Sequence, residues 1–409
     1  MQTELAEFIR DTPQGRTADA ILRKCVHCGF CTATCPTYQV LGDDLDSPRG
    51  RIYLMKRVLV GAPVSEKTRL HLDRCLTCRA CETTCPSGVR YGRLVDIGRA
   101  VVEARTTRGS MERLQRAVLS FGLPRTRLFG GLLKIGQLLR PLLPDVLRRK
   151  IPSEIRPAGA WPAPRHARKM LVLAGCVQPA LAPSINAAAA RVLDRLGVSL
   201  LEARGAGCCG GIRFHLNYQQ AGRDDMRALI DAWWPLVESG EVEAIVMTAS
   251  GCGVTIRDYG HLLAQDAGYR DKAARISALT KDLSEVIQPE ALPRRQDLGR
   301  VAFQSPCTLQ HGQQIRGKVE ALLERAGYEL AQVEDAHLCC GSAGTYSLLQ
   351  PEISSELRAR KLAALHEEAP QSIATANIGC LSHLQAGTDT PVRHWIELLD
   401  AALGRKMTS

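Results

Sequence analysis

Eight of the sixteen cysteines fall in two near-copies of one short pattern. They are Cys25-Val-His-Cys28-Gly-Phe-Cys31-Thr-Ala-Thr-Cys35-Pro36 and Cys75-Leu-Thr-Cys78-Arg-Ala-Cys81-Glu-Thr-Thr-Cys85-Pro86. Nothing else in the 409 residues restricts the fold as tightly. Three cysteines at every third position curl the backbone so that their thiolates face one side of a cubic iron–sulfur cluster. The fourth, with proline behind it, is aimed at a second cluster. Two copies therefore predict two [4Fe–4S] clusters with crossed ligands. Cys25, Cys28, Cys31 and Cys85 serve cluster one, and Cys75, Cys78, Cys81 and Cys35 serve cluster two. Zinc sites instead space two pairs of ligands by a longer loop, and disulfide frameworks belong to short secreted chains.

The length predicts two or three domains. The start, Met1-Gln-Thr-Glu-Leu-Ala-Glu, has no basic flank and no apolar run, so it does not read as a secretory signal. No apolar stretch is long enough to span a bilayer. The cysteine content points to a reducing compartment, with cytoplasm as the expected location. The net charge of +11 is concentrated in one segment. Between Arg105 and Lys169, fifteen Lys or Arg face only Glu112, Asp145 and Glu154, an excess of 15 − 3 = 12. The same segment carries apolar runs broken by glycine and proline, as in Leu128-Phe-Gly-Gly-Leu-Leu-Lys-Ile-Gly-Gln-Leu-Leu-Arg140-Pro-Leu-Leu-Pro-Asp-Val-Leu-Arg-Arg-Lys150. It reads as a basic amphipathic linker, docking either on a partner subunit or on an anionic membrane surface. Nucleic-acid binding is disfavoured, because aromatic residues are only 4% and no recognition motif accompanies the charge.

Residues 1–104 read as a helical two-cluster domain, with a short helix over Ala18–Lys24 and another capped near Ser47. Beyond the linker (105–168) the chain is duplicated. Cys176 to Cys208 and Cys307 to Cys339 are both intervals of 32 residues. Each opens on an apolar run ending in cysteine, continues through a helical pattern closed by Gly197 or Gly327, and ends in Cys-Cys-Gly. Ala244–Cys252 and Ser372–Cys380 then repeat a further strand-like run closed by cysteine. This order predicts two tandem α/β units with parallel strands, over 169–295 and 296–409, their cysteines at strand ends. The fold class is thus α+β multidomain: a helical, ferredoxin-like two-cluster domain followed by two cysteine-rich repeats.

Gly205-Ala-Gly207-Cys-Cys-Gly210 matches a dinucleotide-binding fingerprint. The equivalent Asp335-Ala-His337-Leu-Cys-Cys-Gly341 lacks its first two glycines, so the shared Cys-Cys-Gly carries the chemistry. Each repeat offers four cysteines: Cys176, Cys208, Cys209 and Cys252, then Cys307, Cys339, Cys340 and Cys380. They can hold a further iron–sulfur cluster or form a packed thiol site. His311, His337 and His383 lie near the second set in sequence, as ligands or proton carriers or as ordinary hydrogen-bonded residues. Trp233, Trp234 and Trp395 read as core or docking anchors. Arg79 is expected to raise the potential of the cluster it abuts.

The chain resembles the Cys-Cys-Gly domains of heterodisulfide reductase-type proteins, joined to a two-cluster module as in iron–sulfur subunits of membrane-linked dehydrogenases. Cys25–Tyr38, Pro48-Arg-Gly-Arg-Ile-Tyr53, Ala232-Trp-Trp-Pro235, His337–Tyr346 and Val392–Ile396 look most like the glycolate oxidase (glycolate dehydrogenase) iron–sulfur subunits. The resemblance runs from end to end. It departs at Ala249 and Asn377, where the fuller pattern has a cysteine beginning a Cys-x-x-Cys. The five-cysteine set of the family's double clusters is therefore not available here. The resemblance implies an electron carrier with no catalytic residue of its own. It implies a flavin-binding catalytic subunit, a second flavin-subunit-like chain, FAD on those partners, and membrane quinone as acceptor. It also implies a place on the inner face of the cytoplasmic membrane. Alternatives are the corresponding subunit of an anaerobic glycerol-3-phosphate or lactate dehydrogenase, a heterodisulfide-reductase-like enzyme, and a zinc-stabilised adaptor.

Overall fold

The computed structural model describes residues 1–144, 148–295 and 297–404. Asp145, Val146 and Leu147 of the basic run lie outside the described residues, as do residue 296 and the last five of the second repeat's expected span. Among the described residues, none before Arg168 is in a strand.

The N-terminal part is a helical cluster built on four segments: Pro13–Lys24, Pro48–Leu59, Glu66–Asp73 and Tyr91–Arg105. Thr12, Ser47 and Ser65 cap the first three, each accepting from the backbone N–H three residues on, and proline occupies the first helical position of two of them. The first helix begins five residues earlier than its apolar pattern suggested, because the Thr12 cap and Pro13 set its start. Leu22, Met55, Leu59, Leu72, Leu94 and Val95 form the core. Gly98 lets Tyr91–Arg105 close on Pro48–Leu59; a Cβ there would lie 2.5 Å from Met55 Sδ.

Two helices follow, Ser110–Gly122 and Thr126–Leu139. Gly130, Gly131 and Gly136 do not interrupt the second one, whereas Pro124 and Pro141 bracket it. Glycine costs a helix about 1 kcal/mol, but proline removes a donor and clashes with the preceding turn.

The C-terminal half holds two four-stranded parallel sheets. The first comprises β1 (Arg168–Val172), β2 (Val198–Glu202), β3 (Ala244–Met247) and β4 (Thr280–Asp282), in the order β2-β1-β3-β4. The second comprises β5 (Arg300–Gln304), β6 (Glu329–Ala331), β7 (Ser372–Thr375) and β8 (Val392–His394), in the order β6-β5-β7-β8. Registers correspond: Met170 lies between Leu200 and Ala244, and Ala302 between Ala331 and Ile373. Both faces of each sheet are covered, which explains the apolar stretches Met170–Val172, Ala244–Met247 and Val301–Phe303 in the central strands. Besides a core of its own on each sheet's other face, the repeats share one in which Ile185, Ala189 and Val192 of Ser184–Arg195 meet Leu398, Leu399 and Ala402 of Trp395–Gly404. Trp233 and Trp395 are fully buried core residues, and Trp234 packs under the Lys272 ammonium.

Candidate functional site

In each cysteine motif the third and fifth residues adopt left-handed backbone. These are His27 (φ 57°) and Gly29 (φ 85°) in the first, Thr77 (φ 53°) and Arg79 (φ 61°) in the second. Alternating right- and left-handed residues make a concave loop whose N–H groups and side chains face inward. Cys25, Cys28 and Cys31 line one such cradle, and Cys85 of the other motif completes its wall. Cys75, Cys78 and Cys81 line the other, completed by Cys35. Cys81 also borders the first cradle, so the two share a partition. Concave, thiol-walled and largely apolar, both fit a compact iron–sulfur cluster.

The two cradles differ in exposure and charge. The first opens at the surface, with Cys28 exposed between Val26 and Phe30, whose relative exposures are 69% and 65%. The second is enclosed by two buried arginines. Arg51 donates from Nε to His71 O at 2.6 Å and from Nη1 to Thr37 Oγ1 at 3.1 Å, with Asp46 Oδ1 3.2 Å from Nη2. Arg99 donates to Cys75 O at 2.6 Å and to Thr77 Oγ1 at 3.0 Å. Burial alone raises the Cys75 thiol, but the Arg51 and Arg99 cations outweigh it and hold the group below the ordinary thiol range. Thr77 N–H and Tyr91 O–H also point at its sulfur, at 3.4 and 3.6 Å. Burial pushes Cys31 up to about 11 and Cys78 well above the ordinary range, the latter with a contribution from Cys307. Arg79 borders the second cradle but is bonded to Asp258 Oδ2 of the first repeat at 2.5 Å. Its charge is thereby partly offset, as that of Arg51 is by Asp46, and Arg79, Arg51 and Arg99 together set the cationic surroundings of this cradle.

In both repeats the strand order reverses between the first and third strands, and the crevice beyond the strands' carboxyl ends is where such sheets bind ligands. Cys176 follows β1, the Cys208–Cys209 pair follows β2, and Cys252 sits on the helix Ser250–Arg257 after β3. Cys307, Cys339–Cys340 and Cys380 take the same places in the second sheet. Within each set each thiol lies close enough to the next in order to shift its titration. The Cys307 and Cys339 sulfurs are 3.7 Å apart.

The glycine after each pair is obligatory. Gly210 (φ 81°) and Gly341 (φ 90°) are left-handed, and a Cβ would lie 2.4 Å from Gly222 O or 2.5 Å from Ser354 O. Gly210 is thus closed against a helix and cannot cradle a phosphate, consistent with setting the dinucleotide fingerprint aside.

Both sets open into one cavity of about 260 Å³ between the repeats. Cys176, Cys209 and Cys252 line it from one side and Cys307, Cys339 and Cys380 from the other, with Cys75 and Cys78 of the second cradle at its edge. Leu76 and Cys78 form a small apolar cluster with Cys307, Cys339 and Tyr346. Tyr346 O–H donates to Arg74 O at 3.0 Å across the same boundary. The positions that lack a cysteine meet at the repeat interface. Gly251 N–H donates to Asn377 Oδ1 at 3.4 Å, and Asn377 Nδ2 donates to Cys380 Sγ at 3.5 Å. Ala249 leaves its own side apolar.

The three histidines singled out by sequence do not face this cavity. His311 has both ring nitrogens engaged, by Thr83 Oγ1 at 2.9 Å and His337 O at 2.8 Å. The His383 Nε2 lies against Ser354, and His337 stands at the surface. His215 is the histidine lining the cavity, with its side chain open to solvent there. No spacing to other ligand-type residues marks it in the sequence.

Two cluster cradles backed by paired thiol-bearing α/β repeats define a class of iron–sulfur electron-transfer subunit. The 4Fe-4S dicluster domain family matches residues 21–89, and the cysteine-rich domain family matches 170–257 and 301–385. The chain is 53% identical to the glycolate oxidase iron–sulfur subunit of Escherichia coli (strain K12), covering 99% of this chain and 100% of that one. It is 31% identical to the probable glycolate oxidase iron–sulfur subunit of Bacillus subtilis (strain 168), over 96% of each. Lactate utilization protein A of Geobacillus thermodenitrificans (strain NG80-2) is 24% identical over 57% of this chain. The chain belongs to the glycolate oxidase iron–sulfur subunit family. It is an electron-transfer component of an oxidoreductase with other subunits.

Proposed function

We propose that this chain relays electrons from a flavin-bearing partner, which oxidises glycolate to glyoxylate, towards membrane quinone. Oxidation releases two electrons and two protons, and quinone reduction to quinol consumes both. The chemistry on the hydroxy acid is assigned to that partner, and this chain carries only the electrons. Clusters bound in the cradles supply one-electron steps between the two-electron ends.

Cys25, Cys28, Cys31 and Cys85 hold the first [4Fe–4S] cluster, and Cys75, Cys78, Cys81 and Cys35 the second. The observation that carries the reading is the shared wall between the second cradle and the second repeat, where Cys78 is packed with Cys307 and Cys339. The open first cradle suits exchange with a partner, and the enclosed second suits onward transfer. Cys307, Cys339, Cys340 and Cys380 form the further site next in line, while Cys176, Cys208, Cys209 and Cys252 form its counterpart. The complex sits on the inner face of the cytoplasmic membrane; among the described residues no helix is long and apolar enough to cross it.

The test is to purify the complex anaerobically, identify its subunits and assay glycolate oxidation with an artificial acceptor. About eight irons per chain correspond to the two cradles alone, and about twelve to one further cluster. Oxidation supported by this chain without a flavin subunit contradicts the reading, as does a chain that contains zinc and no sulfide.

A further inference from the structure

The helix Thr126–Leu139 has no buried residue, although most of its side chains are large and apolar. Leu132, Ile135, Leu138 and Leu142 fall on one stripe and are exposed, Leu138 by 80% and Leu142 by 82%. On the preceding helix, Ser110–Gly122, the stripe of Met111, Leu114, Val118 and Phe121 is likewise open, Met111 by 75%. The opposite side of that helix is fixed, because Arg116 is held by Asp73 and Glu112. The second helix is tethered at its ends. Thr126 Oγ1 donates to Gly175 O at 3.4 Å, Gln137 Nε2 to Pro152 O at 3.1 Å and Arg140 Nε to Ile151 O at 3.1 Å. Two successive helices that leave continuous apolar stripes in water mark a surface that a partner or a membrane covers.

Charge identifies the cover. From residue 113 to residue 144 there is no Asp or Glu, while six residues are Lys or Arg. Five of these, Arg113, Arg125, Arg127, Lys134 and Arg140, are at least partly open to solvent. Protein interfaces are enriched in arginine and have a polar rim, so it is the absence of any acidic residue beside the cations that separates this surface from one. An acid-free stretch combining an apolar stripe with flanking cations matches the boundary of an anionic bilayer, where acyl chains meet the stripe and phosphates the cations.

We propose that the two helices over 110–142 form an interfacial anchor that lies in the plane of an anionic phospholipid membrane. This deepens the membrane side of the proposed relay by naming the surface that touches lipid. The two stand or fall separately, because vesicle binding needs no electron transfer.

The experiment sediments the anaerobically purified full chain with vesicles of phosphatidylcholine, with and without phosphatidylglycerol. Binding is expected only with phosphatidylglycerol, weakening as salt rises. It is expected to fall by at least about tenfold in the Leu132→Asp/Ile135→Asp variant, which should keep the parent's cluster absorption because both positions are exposed. A Leu138→Trp variant reads insertion directly, through a blue-shifted emission quenched by brominated lipid. Absence of binding to anionic vesicles overturns the proposal, as does binding unchanged by the double variant. An unshifted emission reports adsorption without insertion and also overturns it. So does loss of partner subunits from the double variant with vesicle binding retained, since the stripe is then a protein interface.

Discussion

Arg79 of the second cysteine loop donates to Asp258 of the first repeat at 2.5 Å, joining residues 179 positions apart. The arginine occupies the place that Gly29 takes in the first loop, with φ 61°, a backbone cost of about 1–2 kcal/mol outside glycine. Its guanidinium thus fixes the second cradle to the repeats while most of its charge is matched. Asp258→Asn removes the bonded carboxylate and leaves only the Glu82 and Asp96 charges near the guanidinium beside the cradle. The potential of the second cluster is expected to rise by tens of millivolts, and that of the first to change little. An EPR-monitored redox titration reads both. Equal potentials in parent and variant contradict the assignment of Arg79 to the second cradle.

The glycine of Cys-Cys-Gly separates the thiol reading from the nucleotide reading. Gly210→Ala combines left-handed backbone with a Cβ 2.4 Å from Gly222 O, and is expected to cost at least about 2 kcal/mol and to lower soluble yield. Gly207→Ala meets nothing within 4 Å and is expected to be near neutral. Thermal unfolding of the two anaerobic proteins makes the comparison. A nucleotide loop would be sensitive at both positions.

The exposed loop of the first cradle is the expected port to a partner. Phe30→Asp places a charge where an aromatic side chain is 65% exposed, and should slow electron exchange with the partner about tenfold or more while leaving cluster absorption intact. Stopped-flow reduction of the assembled complex measures it. An unchanged rate moves the port elsewhere.

Acid sensitivity is expected at the boundary between repeats. His394 is fully buried, with Nε2 donating to Thr248 O at 2.7 Å and Nδ1 accepting from Ile396 N–H at 3.2 Å. Burial lowers it to about 4, below the ordinary value of 6.5. The unfolded chain therefore takes up a proton between pH 6.5 and 4 while the folded chain does not, and stability falls across that window. The loss at pH 5 from this residue is about 2 kcal/mol. His394→Asn should be less stable than the parent at pH 7 yet lose less on going to pH 5, as read by chemical unfolding. A parallel pH dependence in both proteins contradicts the assignment.

Much of this architecture was legible in the sequence because it rests on local chemistry. Motif spacing encodes the cradles, Ser47 and Pro48 announce a helix start, and matched 32-residue intervals reveal the paired sheets. What could not be read depends on contacts between distant segments. The Arg79–Asp258 pair and the double engagement of His311 arise only when the cradle domain meets the repeats. His215 reaches the cavity through the fold rather than through any motif. The glycines of Thr126–Leu139 suggested interruption, yet without proline inside the helix the backbone ladder continues.

The central claim is that electrons pass through the second cradle on their way from the substrate-oxidising partner to the acceptor. The most direct measurement follows flavin reduction and quinone reduction separately in a Cys78→Ser complex shown to be fully assembled. Glycolate should still reduce the flavin at the parent rate while quinone reduction is lost. Quinone reduction that continues at the parent rate contradicts the account, and so does flavin reduction that stops.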